Sequence, residues 1–407
     1  MNSARAGIAG TRVKRAVITT LMAVGVLLLF AGSASAFSDV KLNSYYVQIQ
    51  VMSQLKVVDG FGDGRFRPDE PVTRQQFAKM LALAMRIPVS EEDACPFSDV
   101  APSGPGSLYP DNYIAALWRE SIVTGVTSTA GSGLFKPGDQ ISLAQLITMC
   151  TRASGRKLAE PSSSYKCTWG NFGAPHWAIA RTAQYNGLLR EIPLAGVNPW
   201  RPATRGEAAA LLFNLMGTDP EAVCGCFLGS SSDLVKYFRS KVKSGEKFSV
   251  SVEELARLYD VYCRRFGIRA DVAWVQMCHE TAFGWAIMQG DVRPEQNNFA
   301  GIGATGGGVP GNTFATAELG VIAQVVHLAW YVYPDHFDDP YCRMVDSETP
   351  ITIPGDPRHS SNFGGNGRAH CGGVRTVLDL SGKWATGSGY GAKLKEMMAQ
   401  VPVTCGW

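Results

Sequence analysis

The stretch ADVAWVQMCHETAFGWAIMQGDVRPEQNNFAGIGATGGG, Ala270 to Gly308, sets one glutamate, Glu280, between an apolar helical segment and a glycine-rich turn. Val272, Val275 and Cys278 or His279 recur at helical spacing, and Asp271 stands where a carboxylate favours a helix N-terminus. Glu280 falls on the last turn, beside Phe283, Gly284 and Trp285. Aromatic surface there would strip water from its carboxyl group, raise its pKa and keep it protonated near neutral pH. A protonated carboxylic acid on the floor of a cleft is a general acid, and glycosidic bond cleavage requires one. The competing reading is an exposed helix-end glutamate.

Other chemistries find less support. The GATGGG run is followed by no Gly-Lys-Ser/Thr, so it is not a phosphate loop. No G-x-S-x-G elbow is present. His279, His327, His336, His359 and His370 are scattered without a metal-binding motif, so neither metal nor cofactor is expected. His279 adjoins Glu280, but adjacent helical residues point to different faces, and it reads as structural.

The chain has 407 residues, enough for two or three domains, with 45% hydrophobic and 18% charged residues. Residues 1–36 read as an export signal: Arg5, Arg12, Lys14 and Arg15 lead an apolar run ending in Ala34-Ser35-Ala36. Its removal predicts an exported protein with no membrane span. The 38 Lys plus Arg, less those four, leave 34 against 35 Asp plus Glu, a balance that gives no support for nucleic-acid binding. All ten cysteines follow the signal, so disulfides or buried thiols are expected ahead of metal.

The N-terminal half repeats itself. FSDV at Phe37–Val40 returns at Phe97–Val100, each followed by a helical stretch; a third copy enters at HWAIARTAQYNGLL. Aligning Pro68, Pro137 and Pro199 puts Arg74, Leu143 and Arg205 at one offset, with Thr73, Ser142 and Thr204 before them as N-caps. These residues resemble the surface-layer homology module of bacterial envelope proteins. The resemblance spans 37–217, as repeats 37–93, 94–156 and 157–217. It implies a pseudo-threefold helical unit binding secondary cell-wall polysaccharide, often pyruvylated, in grooves between repeats. Arg74 and Arg205 would be the ligand contacts, since a guanidinium can hold a carboxylate bidentately. Their competing role is a salt bridge at a helix start. Leu143 breaks the pattern in the second copy. Trp118 and Trp177 lie within amphipathic helices and read as core, whereas Trp200 could line a sugar site.

Small and turn-forming residues from Thr218 to Ser232 read as a linker, taken as 218–235, before a domain at 236–407. Within that domain QMCHETAFG (Gln276–Gly284), NNFAGIG (Asn297–Gly303), AELGVIAQVVHL and WATGSGYGAKL (Trp384–Leu394) resemble, in order, the endo-β-N-acetylglucosaminidases of glycoside hydrolase family 73. The resemblance implies a lysozyme-like α+β fold, so the whole chain is expected to be multidomain and mainly α. It makes Glu280 the catalytic acid, Tyr390 a cleft tyrosine, and Asn298, Phe299 and Trp384 substrate contacts. Where the family often has Phe-Gly-Ile-Lys, this chain has Ala300-Gly301-Ile302-Gly303 and loses a lysine. Glu318 is favoured as a second catalytic carboxylate over Asp291 and Glu295; alternatively the substrate's own N-acetyl group assists. The combined expectation is a secreted hydrolase of peptidoglycan at the GlcNAc-β-1,4-MurNAc bond, held at the cell wall or S-layer surface. Its rivals are a lytic transglycosylase, with IMQG at Ile287–Gly290 as a motif remnant, and a silent surface protein of the same fold.

Overall fold

The computed structural model describes residues 37–126, 133–284, 291–304, 307–333 and 372–406. The signal at 1–36, Trp285, the Ile287–Gly290 segment, Cys342, Cys371 and most of the loop-rich stretch between Pro334 and Gly382 lie outside them.

Six helices form the N-terminal half: α1 (Tyr46–Gln54), α2 (Arg74–Ala84), α3 (Asp111–Arg119), α4 (Leu143–Arg152), α5 (His176–Tyr185) and α6 (Arg205–Met216). Helices α2, α4 and α6 each start with a full capping box. The hydroxyls of Thr73, Ser142 and Thr204 accept from the amide three residues on, and Gln76, Gln145 and Glu207 reach back to the cap's own N–H.

The extended residues just before these caps lock the three copies together. Val72 N–H donates to Ala203 O (3.1 Å), Ala203 N–H to Ile141 O (2.9 Å) and Ile141 N–H to Val72 O (3.1 Å). That cycle closes on itself. A second ring satisfies amides that a helix start leaves without intrahelical partners. Arg74 N–H donates to Asp139 O, Leu143 N–H to Arg201 O and Arg205 N–H to Glu70 O, all at 2.9–3.0 Å. The returning FSDV motif fixes the loop of its own copy. Asp39 accepts from the amides of Phe66 and Arg67, and Asp99 from those of Phe135 and Lys136. Trp118 departs from expectation. Ile114, Ala115 and Leu117 take the buried face of α3, and Trp118 is 48% exposed.

The C-terminal half holds α7 (Ser231–Lys241), α8 (Val252–Phe266), α9 (Ala270–Glu280), α10 (Ala317–Val332) and α11 (Tyr390–Met398). Among the described residues there are eleven α-helices and no strand, so the chain is mainly helical. The β part of the expected α+β fold is not found in them. The eight described cysteines are free thiols.

The expected linker is a correction. Composition reads 218–235 as a solvated tether, yet Ala222, Val223, Cys224, Cys226, Phe227 and Leu228 are buried. The small residues serve close packing. An added Cβ at Gly217 would lie 1.9 Å from the Cys226 carbonyl oxygen, and one at Gly267 would lie 2.2 Å from a Val51 methyl. Backbone bonds stitch the segment on both sides: Cys226 N–H to Phe213 O, Arg269 N–H to Val223 O and Val377 N–H to Glu221 O. Arg86 pairs with Asp219 (2.6 Å), and Lys395 with Glu221 (2.6 Å). One continuous hydrophobic core runs from Val40 to Val401.

Gly217→Ala, at a φ that alanine adopts freely, forces this seam apart. We expect a loss of about 1–3 kcal/mol, the usual cost of overpacking, in thermal melting, with new protease cleavage between Asp219 and Gly229. An unchanged melt would show that the seam tolerates the added methyl.

Candidate active site

Helix α9 is buried from Ala270 to Cys278, and only its last turn emerges. Its start is held by Arg269, whose guanidinium grips Asp271 through Nε (3.1 Å) and Nη2 (2.6 Å) and also donates to the Asp219 carbonyl. Its end turns sharply through Ala282, Phe283 and Gly284, all at positive φ. Glu280 therefore stands at the C-terminal end of a helix that has no other exit.

Of the aromatic neighbours that sequence suggests, Trp285 lies outside the described residues and Phe283 does not cover the carboxyl. Phe283 turns away and packs on Phe238 and Tyr237, with ring centroids at 5.6 and 6.1 Å. The surface comes from the far end of the chain. Tyr390 Oη donates to Glu280 Oε1 at 2.5 Å, and Trp384 Nε1 donates to the same oxygen at 3.1 Å. Tyr390 begins α11, which approaches closely because Gly391 has no side chain: a Cβ there would lie 2.3 Å from Val377 O. Trp384 is braced edge-on by His327 of α10, centroids 4.9 Å apart.

Burial pushes the Glu280 pKa above the ordinary carboxylate value. The Tyr390 hydrogen bond, the charge of His279 and the Trp384 hydrogen bond pull it back in part. Burial likewise raises the Tyr390 phenol, so it stays a donor. His279 is exposed, with its ring 5.6 Å from that of Tyr390, and its charge acts on Glu280.

Other expected site residues are placed elsewhere. Asn298 is 2% exposed, and its amide ties down its own loop, donating to Ile302 O and Asn312 O and accepting from Ile302 N–H. Phe299 is 1% exposed and packs on Phe248. Neither side chain is open to a ligand; both shape the turn. Gly303, at the family's lysine position, has φ +73°, and an added Cβ would meet Asn312 Oδ1 at 2.2 Å. A lysine there would have to take a left-handed backbone and displace the Asn312 side chain.

Glu318 sits exposed on the first turn of α10, where Tyr262 Oη donates to it. Helix α10 meets α9 at Gln324 and Trp384 at His327, so its approach to Glu280 runs the other way. Six residues of helix set Glu318 back from Gln324 by roughly 9 Å. Among the described residues no second carboxylate shifts its pKa.

Arg74 and Arg205 occupy equivalent places in the repeat unit. Arg74 Nε donates to Phe135 O (2.7 Å) with the guanidinium 4.6 Å from that ring's centroid; Arg205 Nε donates to Phe66 O (2.9 Å), 4.5 Å from its ring. Among the described residues neither makes the salt bridge that would be its competing role. Each borders a cavity. One, of about 240 Å³, is lined by Asp59, Gln76, Lys79, Tyr109 and Arg205. The other, of about 280 Å³, is lined by Arg74, Gln145, Thr148, Arg152 and His176. At the third position stands Leu143, and the loop beside it is occupied. Arg190 donates to Phe227 O (2.7 Å) and Gly229 O (2.8 Å), and Arg264 faces Glu191 at 3.7 Å. Trp200 is half exposed near His176, centroids 5.4 Å apart.

Comparison with known proteins agrees with this division. The S-layer homology domain profile matches residues 36–78, one of the three copies. The mannosyl-glycoprotein endo-beta-N-acetylglucosaminidase profile matches residues 256–402. An uncharacterized protein of Borreliella burgdorferi is 30% identical over 169 residues, 42% of this chain and 71% of its own length. An S-layer protein of Bacillus thuringiensis subsp. finitimus is 26% identical over 266 residues, 63% of this chain but 29% of that protein. An endoglucanase of a Bacillus species is 29% identical over 221 residues, covering 50% of this chain and 22% of the enzyme. The chain thus joins an S-layer homology domain to a glucosaminidase-family domain and belongs to the same family as the Borreliella protein.

Proposed function

We propose that the protein is a cell-wall-anchored peptidoglycan hydrolase in which Glu280 protonates the glycosidic oxygen of a GlcNAc-β-1,4-MurNAc bond. The observation that carries this reading is the division of labour within one carboxyl group. Oε1 accepts from Tyr390 and Trp384, while Oε2 has no partner among the described residues. A proton on Oε2 is available for transfer, and the carboxylate left behind keeps two donors on its other oxygen. Where no second carboxylate serves, the substrate's own N-acetyl oxygen is the nucleophile at C1. It would form a cyclic oxazolinium, and water would then open it. The same observation keeps a lytic transglycosylase as the second reading, in which the 6-hydroxyl closes on C1 to give a 1,6-anhydro end.

The two cavities beside Arg74 and Arg205 would take an acidic wall polysaccharide, its carboxylates meeting a guanidinium already held by a backbone carbonyl and an aromatic face. Leu143 and the occupied Arg190 loop exclude the third. Anchoring raises the local concentration of enzyme at its polymer.

Glu280→Gln removes the proton donor. We expect wall lysis to fall by about 10²–10⁴-fold, the usual share of general acid catalysis, while binding to purified walls is kept. Lysis at the parental rate would rule out the assignment. Mass spectrometry of digested muropeptides separates reducing GlcNAc ends from 1,6-anhydro ends.

The folded pKa of Glu280 lies above its unfolded value. The stability it contributes is therefore fully present below the unfolded pKa and is lost as pH rises through the folded one. Glu280→Gln should match the parent's melting temperature in acid and exceed it near neutral pH. A constant gap across that range would show that burial does not bear on this carboxyl.

Arg74→Leu and Arg205→Leu should each weaken sedimentation with pyruvylated wall polysaccharide by about tenfold or more, as loss of a charged hydrogen bond does. Leu143→Ala should leave it unchanged.

A further inference from the structure

Behind Glu280 runs a line of buried polar side chains that nothing above employs. Tyr259 on α8, Gln324 on α10 and Gln276 on α9 are each wholly shielded from solvent. Such groups are costly to bury unless fully paired. Here they are paired end to end. Tyr259 Oη lies 2.5 Å from Gln324 Oε1, Gln324 Nε2 lies 2.9 Å from Gln276 Oε1, and Gln276 Nε2 lies 3.1 Å from Tyr390 Oη.

The direction of the line is set by one atom that can only accept. The Ala273 carbonyl oxygen lies 3.1 Å from one end of the Gln324 amide, which must therefore be its NH₂. The other end of Gln324 is then the oxygen, so Tyr259 must donate to it. The same NH₂ also donates to Gln276, whose opposite end is thereby an NH₂ pointing at Tyr390. The phenol oxygen accepts there, and its single hydrogen is left for Glu280 Oε1.

We propose that Gln276, Gln324 and Tyr259 are positioning residues that hold Tyr390 as an obligate donor to Glu280 Oε1 and so confine the acid proton to Oε2. With two donors aimed at it, Oε1 cannot itself carry a hydrogen. The inference rests on the reading of Glu280 as the acid and says which of its oxygens delivers the proton. Each hydrogen bond in the line polarises the next, and the last one favours the ionised carboxylate. The charged and titratable groups around Glu280 leave that effect visible. His279 lies on its own helix, His327 reaches it only through Trp384, and Glu246 near Gly284 is paired with Arg239.

The test is the pH dependence of kcat/KM on soluble glycan fragments, comparing the parent with Tyr390→Phe, Gln276→Met and Tyr259→Phe. Tyr259→Phe deletes one hydroxyl on α8 and keeps the ring, so it serves as the second variant should Gln276→Met fail to fold. We expect the alkaline limb to move to higher pH in all three, most in Tyr390→Phe and by roughly half a pH unit in the others, with activity down about tenfold, the order seen for outer-shell partners. A limb that stays put in both Tyr259→Phe and Gln276→Met, whatever the drop in rate, overturns the relay and leaves only a packing role. Glu280→Gln, run alongside, separates the two failures: an active Glu280→Gln overturns the acid itself, whereas an inactive one with unmoved limbs overturns the relay alone.

Discussion

Helix α9 is the constraint on which the site depends. Buried on every face for most of its length, it could be accommodated only by packing helices around it, and its one polar outlet is the turn carrying Glu280. Four elements close around it. Tyr259 and Gln324 approach from α8 and α10, and Tyr390 and Trp384 from the start of α11 and the loop before it. Burial raises the energy of the ionised carboxyl, and the donors from α11 limit how far. The acidity of the carboxyl is set by that balance, with burial the larger effect.

Close approach of backbone to backbone also joins the two halves. Residues 222–229 are buried, Gly217 leaving room for the Cys226 carbonyl, and ion pairs at Asp219 and Glu221 fasten the segment to both neighbours. Anchor and catalyst share one core.

Within that unit the pseudo-symmetry is strict in the backbone and broken in the side chains. The hydrogen-bond cycle through Val72, Ile141 and Ala203 treats the copies alike. Leu143 and Arg190 do not: at the third position the cationic side chain is lost, and the neighbouring loop is committed to carbonyls of Phe227 and Gly229.

Local signals in the sequence were enough for the elements whose causes are local. Capping residues and their partners lie three positions apart, the repeats share one offset from proline to cap, and the run before Glu280 has helical period, so each of these is legible residue by residue. Tertiary structure decided the rest, because the deciding contacts join residues far apart in the chain. Trp384 and Tyr390 reach Glu280 across 104 and 110 residues, and no window of sequence contains both ends. The small residues of 218–235 look alike whether they serve freedom or close approach, and only the surrounding backbone selects the second. Asn298 and Phe299 carry the right types for a sugar site, yet the turn folds both inward, and Glu318 lies exposed on the first turn of α10, where Tyr262 donates to it. The sequence by itself determined which residues could do the chemistry; packing decided which of them are brought to one place, since proximity in a fold is a property of helices meeting and not of spacing along a chain.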